Sequence, residues 1–246
     1  MTSYLLLAAA AFVAGIMNAV AGGGSFLTVP ALIFTGVPSV IANASSTVAL
    51  FPGSFASAWA YRSYFTHFEG IPFKAMLGVS LAGGITGALL LLFTPQSTFD
   101  TVLPWLMLVA TVVFTFGPKI APKLREWFHI GPMALLVSQY FVAIYGGYFG
   151  GAVGIMMLAI WGLFGLEDLN IANASKTILS GSMNAVAVVC FVIADKVTWT
   201  QTLVMLVAAV VGGYVGAHTA TKMNSKHIRL LITVISVAMT VTFFLR

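Results

Sequence analysis

Apolar runs follow one another down this chain, separated by short polar connections. Tyr4–Ala21, Ala42–Tyr61, Pro72–Phe93, Thr101–Phe116, Pro132–Phe149, Ile171–Ala194, Thr200–Thr221 and Ile228–Leu245 read as membrane spans. A helix that crosses the hydrocarbon core needs about 20 residues. Two further apolar runs, Phe26–Phe34 and Ile155–Phe164, are too short for this. A helix of about eleven residues reaches roughly 16 Å, half the core. Each short run is therefore expected to be a half-helix that meets its predecessor inside the membrane.

The order long, short, long, long, long occurs twice, and the sequence repeats with it. "IANASST" at Ile41–Thr47 returns as "IANASKT" at Ile171–Thr177. "AVAGGGS" at Ala19–Ser25 aligns with "YFGGAVG" at Tyr148–Gly154, and "GGITGA" at Gly83–Ala88 with "GGYVGA" at Gly212–Ala217. Three collinear matches at nearly one offset indicate an internal duplication. The expected organisation is a first transmembrane repeat at 1–117, a cytoplasmic linker at 118–130 and a second repeat at 131–246. Five segments per repeat is an odd number, so the second repeat should be inverted relative to the first. The fold class is then all-α: a polytopic membrane protein of two inverted repeats, each with about four long helices and one half-helix.

Charge placement gives an independent orientation. With Lys119, Lys123 and Arg125 in the cytoplasm, the loops carrying Arg62 and Lys74, and Lys222, Lys226 and Arg229, fall on the same side. Asp100, the Asp195–Lys196 pair and Arg246 fall outside. This is a positive-inside distribution with both termini on the outer face. A re-entrant half-helix returns the chain to its starting side, so the parity survives.

Composition agrees with a lipid environment. Of 246 residues 60% are hydrophobic and 7% charged, with a mean hydropathy of +1.03. Soluble domains carry about 25% charged residues, and so few charges cannot coat a globule of this size. The single cysteine, Cys190, excludes an intramolecular disulfide and Cys-based metal sites. The net charge of +5 is scattered over loops and makes no nucleic-acid footprint. No Lys or Arg precedes Arg62, so the positive n-region of a secretory signal is missing. The chain has no HExxH, GxSxG or P-loop, so nothing points to an enzyme, a cofactor or a nucleotide-driven pump.

Candidate chemistry lies at the breaks. Irregular backbone in lipid is tolerated where it faces protein or a watery cavity. Gly23, Gly24 and Ser25 sit at the first break and Gly150 and Gly151 at the second, with Gly146 and Gly147 one turn earlier. Ser25 is the expected N-cap of the first half-helix. Two half-helix N-termini that point inward from opposite faces would make an anion site near the midplane. The plainer reading of such glycines is close helix packing. It fits Gly83, Gly87, Gly212 and Gly216 better than the breaks, since packing needs no half-length helix.

The repeated NAS motif supplies Asn43, Thr47, Asn173 and Thr177 as neutral hydrogen-bonding groups. Helix capping also accounts for Asn43 and Asn173. Lys176 is a basic residue inside a span, which by default is a functional position. Its plainer role is to snorkel toward Glu167 or Asp168. Asn18 and Asn184 are further polar residues in apolar surroundings, and Gln139 and His218 are weaker candidates. All six acidic residues lie in or beside loops, so no span carries a coupling carboxylate.

The stretches "AGIMNAVAGGGSFLTVPALIFTGVPSVIANASSTVAL" (Ala14–Leu50) and "YGGYFGGAVGIMMLAIWGLFGLEDLNIANASKTILSGSMNAVAVVCF" (Tyr145–Phe191) resemble the two signatures of the sulfite exporter TauE/SafE family. The resemblance spans essentially the whole chain. It implies a bacterial inner-membrane permease for sulfur-containing anions, with sulfite and sulfonates such as sulfoacetate as the substrate class. The residues alone lead as far as an inverted-repeat anion transporter embedded in the bilayer.

Overall fold

The computed structural model describes residues 2–20, 23–60, 62–65, 71–127, 131–166, 169–220 and 225–245. These form α1 (Thr2–Val20), α2 (Ser25–Phe34), α3 (Ser39–Ala60), α4 (Phe73–Phe93), α5 (Gln96–Trp127), α6 (Pro132–Tyr148), α7 (Val153–Phe164), α8 (Leu169–Ile193), α9 (Trp199–Ala220) and α10 (Ser225–Phe244). One 3-10 turn, Arg62–Tyr64, follows α3, and no strand occurs among the described residues. The chain is an all-helical, multi-pass membrane protein. Within the described residues five helices are long and apolar enough to cross a bilayer: Thr2–Ala19, Phe73–Phe93, Gln96–Gly117, Ala174–Ile193 and Trp199–Gly216. α2 and α7 are short apolar helices, as expected, and Ile232–Phe244 of α10 is a third; the spans expected at α3, α6 and α10 are not among the five. Large apolar side chains such as Leu5, Phe93, Trp105, Phe141 and Ile193 face outward. Such a surface needs lipid around it.

The helix pairings of one half recur in the other. α1 packs on α9 and α4 on α6; α3 packs on α9 and α4 on α8; α3 and α8 cross each other, as do α5 and α10. Where α5 meets α10, Thr111 Oγ1 and Thr240 Oγ1 share a buried hydrogen bond of 3.1 Å although they stand 129 positions apart. That separation is the offset of the sequence repeat, so the two threonines are each other's counterparts.

Glycines set the two main seams. A Cβ at Gly212 would fall 2.0 Å from the Phe12 carbonyl oxygen, and one at Gly216 2.7 Å from Ile16 Cα. Their counterparts behave alike: a Cβ at Gly87 would fall 2.1 Å from the Ile144 carbonyl oxygen, and one at Gly83 2.7 Å from that of Tyr140. For these four glycines close packing is what the structure shows. Gly147 belongs to the same seam, 2.2 Å from the Gly84 carbonyl oxygen by the same measure. Helices in lipid gain little from apolar contact alone, so close approach of backbones carries much of their association.

Both half-helices end alike. After α2, the N–H of Gly36 donates to Ile33 O and that of Val37 to Leu32 O; after α7, Gly165 donates to Gly162 O and Leu166 to Trp161 O. Gly36 and Gly165 take left-handed conformations (φ +91° and +108°). This paired closure uses up the last carbonyls of each half-helix.

The half-helices begin differently from expectation at one point. Ser25 is the first helical residue of α2 rather than its cap; Gly24 holds the cap position and makes no side-chain cap bond. The capping acceptor comes from α1, where Asn18 Oδ1 takes the Gly24 N–H at 2.8 Å. An amide on the preceding helix reaches across the break, so a hydroxyl at Ser25 is not needed there. Gly23 at the first break and Ala152 at the second are left-handed (φ +96° and +57°) and one repeat apart. An L side chain in this region costs about 1–2 kcal/mol. Gly23→Ala is expected to lower unfolding stability by about that amount. Ala152→Gly is expected to hold or raise it. Thermal unfolding in detergent reads both.

The polar segment 118–130, expected to be a linker loop, is helical as far as Trp127, because α5 runs on through it. Lys, Leu, Arg and Glu there are good helix formers, and water at the membrane edge can satisfy carbonyls that Pro118 and Pro122 leave free.

Candidate functional site

The two breaks approach each other at the centre of the protein. A Cβ at Gly150 would sit 3.7 Å from Ser25 Oγ. Between them lies a cavity of about 70 Å³. A buried water needs ~10–15 Å³ on this measure, so the space takes roughly five waters or one small oxyanion. α1 contributes Asn18 to its wall, and the first break contributes Gly23 and Ser25. Gly150, Val153 and Gly154 come from the second break and the start of α7.

α3 and α8 supply the remaining wall from matched positions. Thr47, Leu50, Gly53 and Ser54 face Thr177, Ser180 and Asn184, with Lys176 beside them. Thr47, Leu50 and Ser54 fall at i, i+3 and i+7, and so do Thr177, Ser180 and Asn184. That spacing places each set on a single helical face. Among the described wall residues the polar groups are neutral apart from Lys176, which is buried to 9% exposure. None of the described wall residues is a carboxylate. Lys176 corresponds in the repeat to Ser46, whose hydroxyl lies 2.6 Å from Thr28 Oγ1 and ties α3 to α2. The charge is therefore on one side of an otherwise matched cavity.

The Lys176 stem rests on glycine. A Cβ at Gly154 would lie 3.0 Å from Lys176 Cδ and 3.5 Å from its Cε. Gly154 thus leaves the groove in which the side chain runs. The threonine hydroxyls are engaged along their own helices: Thr47 Oγ1 donates to Asn43 O at 3.0 Å and Thr177 Oγ1 to Ala174 O at 2.9 Å. Asn184 Oδ1 is buried with no hydrogen-bond partner. Leaving a buried polar atom unpaired costs about 1–3 kcal/mol, so this amide has reason to recruit a ligand or water.

Of the residues singled out in the sequence, Asn18, Gly23, Ser25, Thr47, Gly150, Lys176, Thr177 and Asn184 meet at this cavity. Gly24 stands behind it, its N–H held by Asn18. Gly151 packs on Phe149, whose ring a Cβ would meet at 2.4 Å. The Asn173 and His218 side chains, and Glu167 and Asp168, lie outside the described residues, and with them the suggested pairing of Lys176. Gln139 is taken up structurally: its Nε2 donates to Ser80 Oγ at 2.9 Å and its Oε1 accepts from Trp161 Nε1 at 3.1 Å.

Asn43 is not a cap, since α3 starts a turn earlier at Ser39. Its Nδ2 instead donates to Tyr148 O at 2.8 Å, where α6 ends. The NAS motif of the first half thereby braces the break of the second. Asn43→Leu removes this donor and leaves a carbonyl without it in a buried site. The expected loss is about 1–3 kcal/mol of unfolding free energy, measured by denaturant titration, with Asn43→Ser falling between. Leu50, Gly53, Ser54, Val153, Gly154 and Ser180 were not evident as wall residues. The i, i+3, i+7 spacing around Thr47 and Thr177 is the signal that points to three of them.

Residues 7–243 match the family described as sulfite exporter TauE/SafE. Relatives include the probable membrane transporter protein YfcA of Escherichia coli K12, 29% identical over 97% of this chain and 90% of that protein. A probable membrane transporter protein of Haemophilus influenzae is 30% identical over 93% of this chain and 89% of its own. The probable membrane transporter protein ORF9 of a Sinorhizobium species is 28% identical over 94% and 88%. No solved structure matches the chain. A helical membrane protein with a central polar cavity, matched along nearly its whole length, belongs to the TauE/SafE sulfite exporter family of membrane transporters.

Proposed function

We propose that this chain is a secondary transporter that exports a small sulfur-containing anion, such as sulfite or an organosulfonate like sulfoacetate, from a bacterial cytoplasm. The observation that carries the reading is the cavity, whose described wall holds a buried lysine and the starts of two half-helices. Helix N-termini carry partial positive charge and favour anions. In this reading Lys176 supplies the charge. Backbone donors would come from Gly23, Ser25 and Gly151, since the N–H groups of Gly24 and Gly150 already donate to Asn18 Oδ1 and Tyr145 O. Asn18, Thr47, Asn173, Thr177 and Asn184 provide neutral polar groups, while Asn43 acts from behind by bracing Tyr148 O.

The two halves, 1–117 and 131–246, would sit in opposite orientations in the inner membrane, with segment 118–130 on the cytoplasmic side and both termini outside. Transport would proceed by rocking one half against the other around a fixed site. A membrane potential that is negative inside favours anion efflux by about 2.3 kcal/mol per charge per 100 mV. Export therefore needs no coupling carboxylate.

Ligands that bind the folded state raise its melting temperature. Purified protein is expected to be stabilised by sulfite or a C2 sulfonate in a panel that also includes sulfate and thiosulfate. Absence of any shift across the panel, together with no flux into liposomes, would overturn the reading. Saturable flux, far below channel rates, distinguishes a carrier from a channel of the same architecture.

A further inference from the structure

Beside the central cavity lies a smaller space bounded by Gly15, Ala19, Leu50, Gly53, Ala209 and Gly213. It shares Asn18, Leu50 and Gly53 with the main cavity, so the two adjoin across these three residues. Its size is about 10 Å³, room for roughly one water or one methyl group. Asn18, at the junction, is the one polar side chain on its wall.

In the other half the equivalent place is occupied among the described residues. The counterpart of Gly53 is Met183, and that of Gly15 is Ile144. Met183 is fully buried, and it fills the equivalent place. A Cβ at Gly84, the counterpart of Gly213, would meet Met183 Cβ at 3.0 Å, and one at Gly146 would meet Met183 Sδ at 2.7 Å. At Gly53, by contrast, a Cβ would meet nothing within 4 Å. The asymmetry is written in the sequence as glycine against methionine. A bare oxyanion has no use for a lateral apolar branch on one side of its site. A ligand with a charged head and a short apolar tail does.

We infer that this branch is a subsite for a one- or two-carbon apolar substituent on the transported anion, and that Gly53 sets its size. The inference rests on the anion reading above. It makes Gly53 and Gly213 determinants of which anions are accepted, while the head is held at Lys176.

The test is isothermal titration of the full chain in detergent with sulfite, methanesulfonate, ethanesulfonate and propanesulfonate. Each buried methylene adds about fourfold in affinity. Ethanesulfonate is therefore expected to bind about fourfold tighter than methanesulfonate, with no further gain for propanesulfonate once the branch is full. Gly53→Val should erase the ethyl gain, so that within the variant ethanesulfonate binds no tighter than methanesulfonate. Gly53→Ala and Gly213→Ala should reduce it. A Cβ at Gly213 would make ordinary contact, 3.8 Å from Gly15 O, and alanine is the better helix former, so both alanine variants keep the fold. Equal affinity for methane- and ethanesulfonate in wild type, or an ethyl gain that survives in the Gly53 variants, overturns the subsite. If sulfite binds and no sulfonate does, the subsite falls and the anion site stands. If no anion in the series binds, both fall.

Discussion

Lys176→Met is expected to reduce anion flux into liposomes by at least tenfold without unfolding the protein. Methionine keeps an unbranched stem, so the groove beside Gly154 remains filled. What disappears is the charge of the described wall. Two unit charges about 4 Å apart interact by about 4 kcal/mol at an effective dielectric constant near 20. Water in the cavity will screen part of this, which leaves a loss of about tenfold or more in affinity or turnover. Lys176→Arg preserves charge but places a planar, bulkier head where Gly154 leaves only a narrow groove, and intermediate flux is expected. The decisive comparison pairs flux with the melting temperature of the same preparation. Wild-type flux from folded Lys176→Met protein would remove this lysine from the transport mechanism.

The largest effect on stability is expected at the helix seams. A Cβ at Gly212 or at Gly87 would lie 2.0 or 2.1 Å from a backbone oxygen of the facing helix, Phe12 in one case and Ile144 in the other. Backbone on both sides cannot rotate away, so the helices must part. Overpacking of this kind costs about 1–3 kcal/mol or more. Alanine returns about 1 kcal/mol of helix propensity in the same substitution, so the packing penalty prevails. Gly212→Ala and Gly87→Ala should each lower the unfolding midpoint, and Gly212→Leu should prevent recovery of monodisperse protein. Gly162→Ala is the control: it too is helical, but its Cβ would meet nothing within 4 Å. An equal response from Gly162→Ala and Gly212→Ala would show that the seams do not depend on close approach.

The two half-helices were legible because hydropathy gives length directly, and a run of ten or twelve apolar residues cannot cross a membrane. The duplication was legible because Asn, Ser and Gly stand out in an apolar background. What the pattern concealed was partnership. Ser25 has the side chain of a cap, yet the cap bond comes from Asn18, six residues before Gly24, because the break folds the chain back toward α1. Asn43 and Asn18 look alike as polar residues in apolar runs. One holds the break of the opposite half and the other lines the cavity. Gly53 and Gly154 were invisible as wall residues because their contribution is empty space, which leaves no mark in composition. Residues 118–127 read as a loop because they are polar and carry two prolines, but polarity reports contact with water and not the absence of helix.

The meeting of Thr111 with Thr240 has a meaning in symmetry. Equivalent residues touch each other where two like objects meet across a two-fold axis. Two separate half-length chains related by such an axis would make this same contact. In such a homodimer every side chain at the central cavity would come in pairs, and a lysine at the Lys176 position would face a second lysine across a space of about 70 Å³. Joining the copies in one chain lifts that constraint. One half can keep a serine that ties two helices together, and the other can present a single charge.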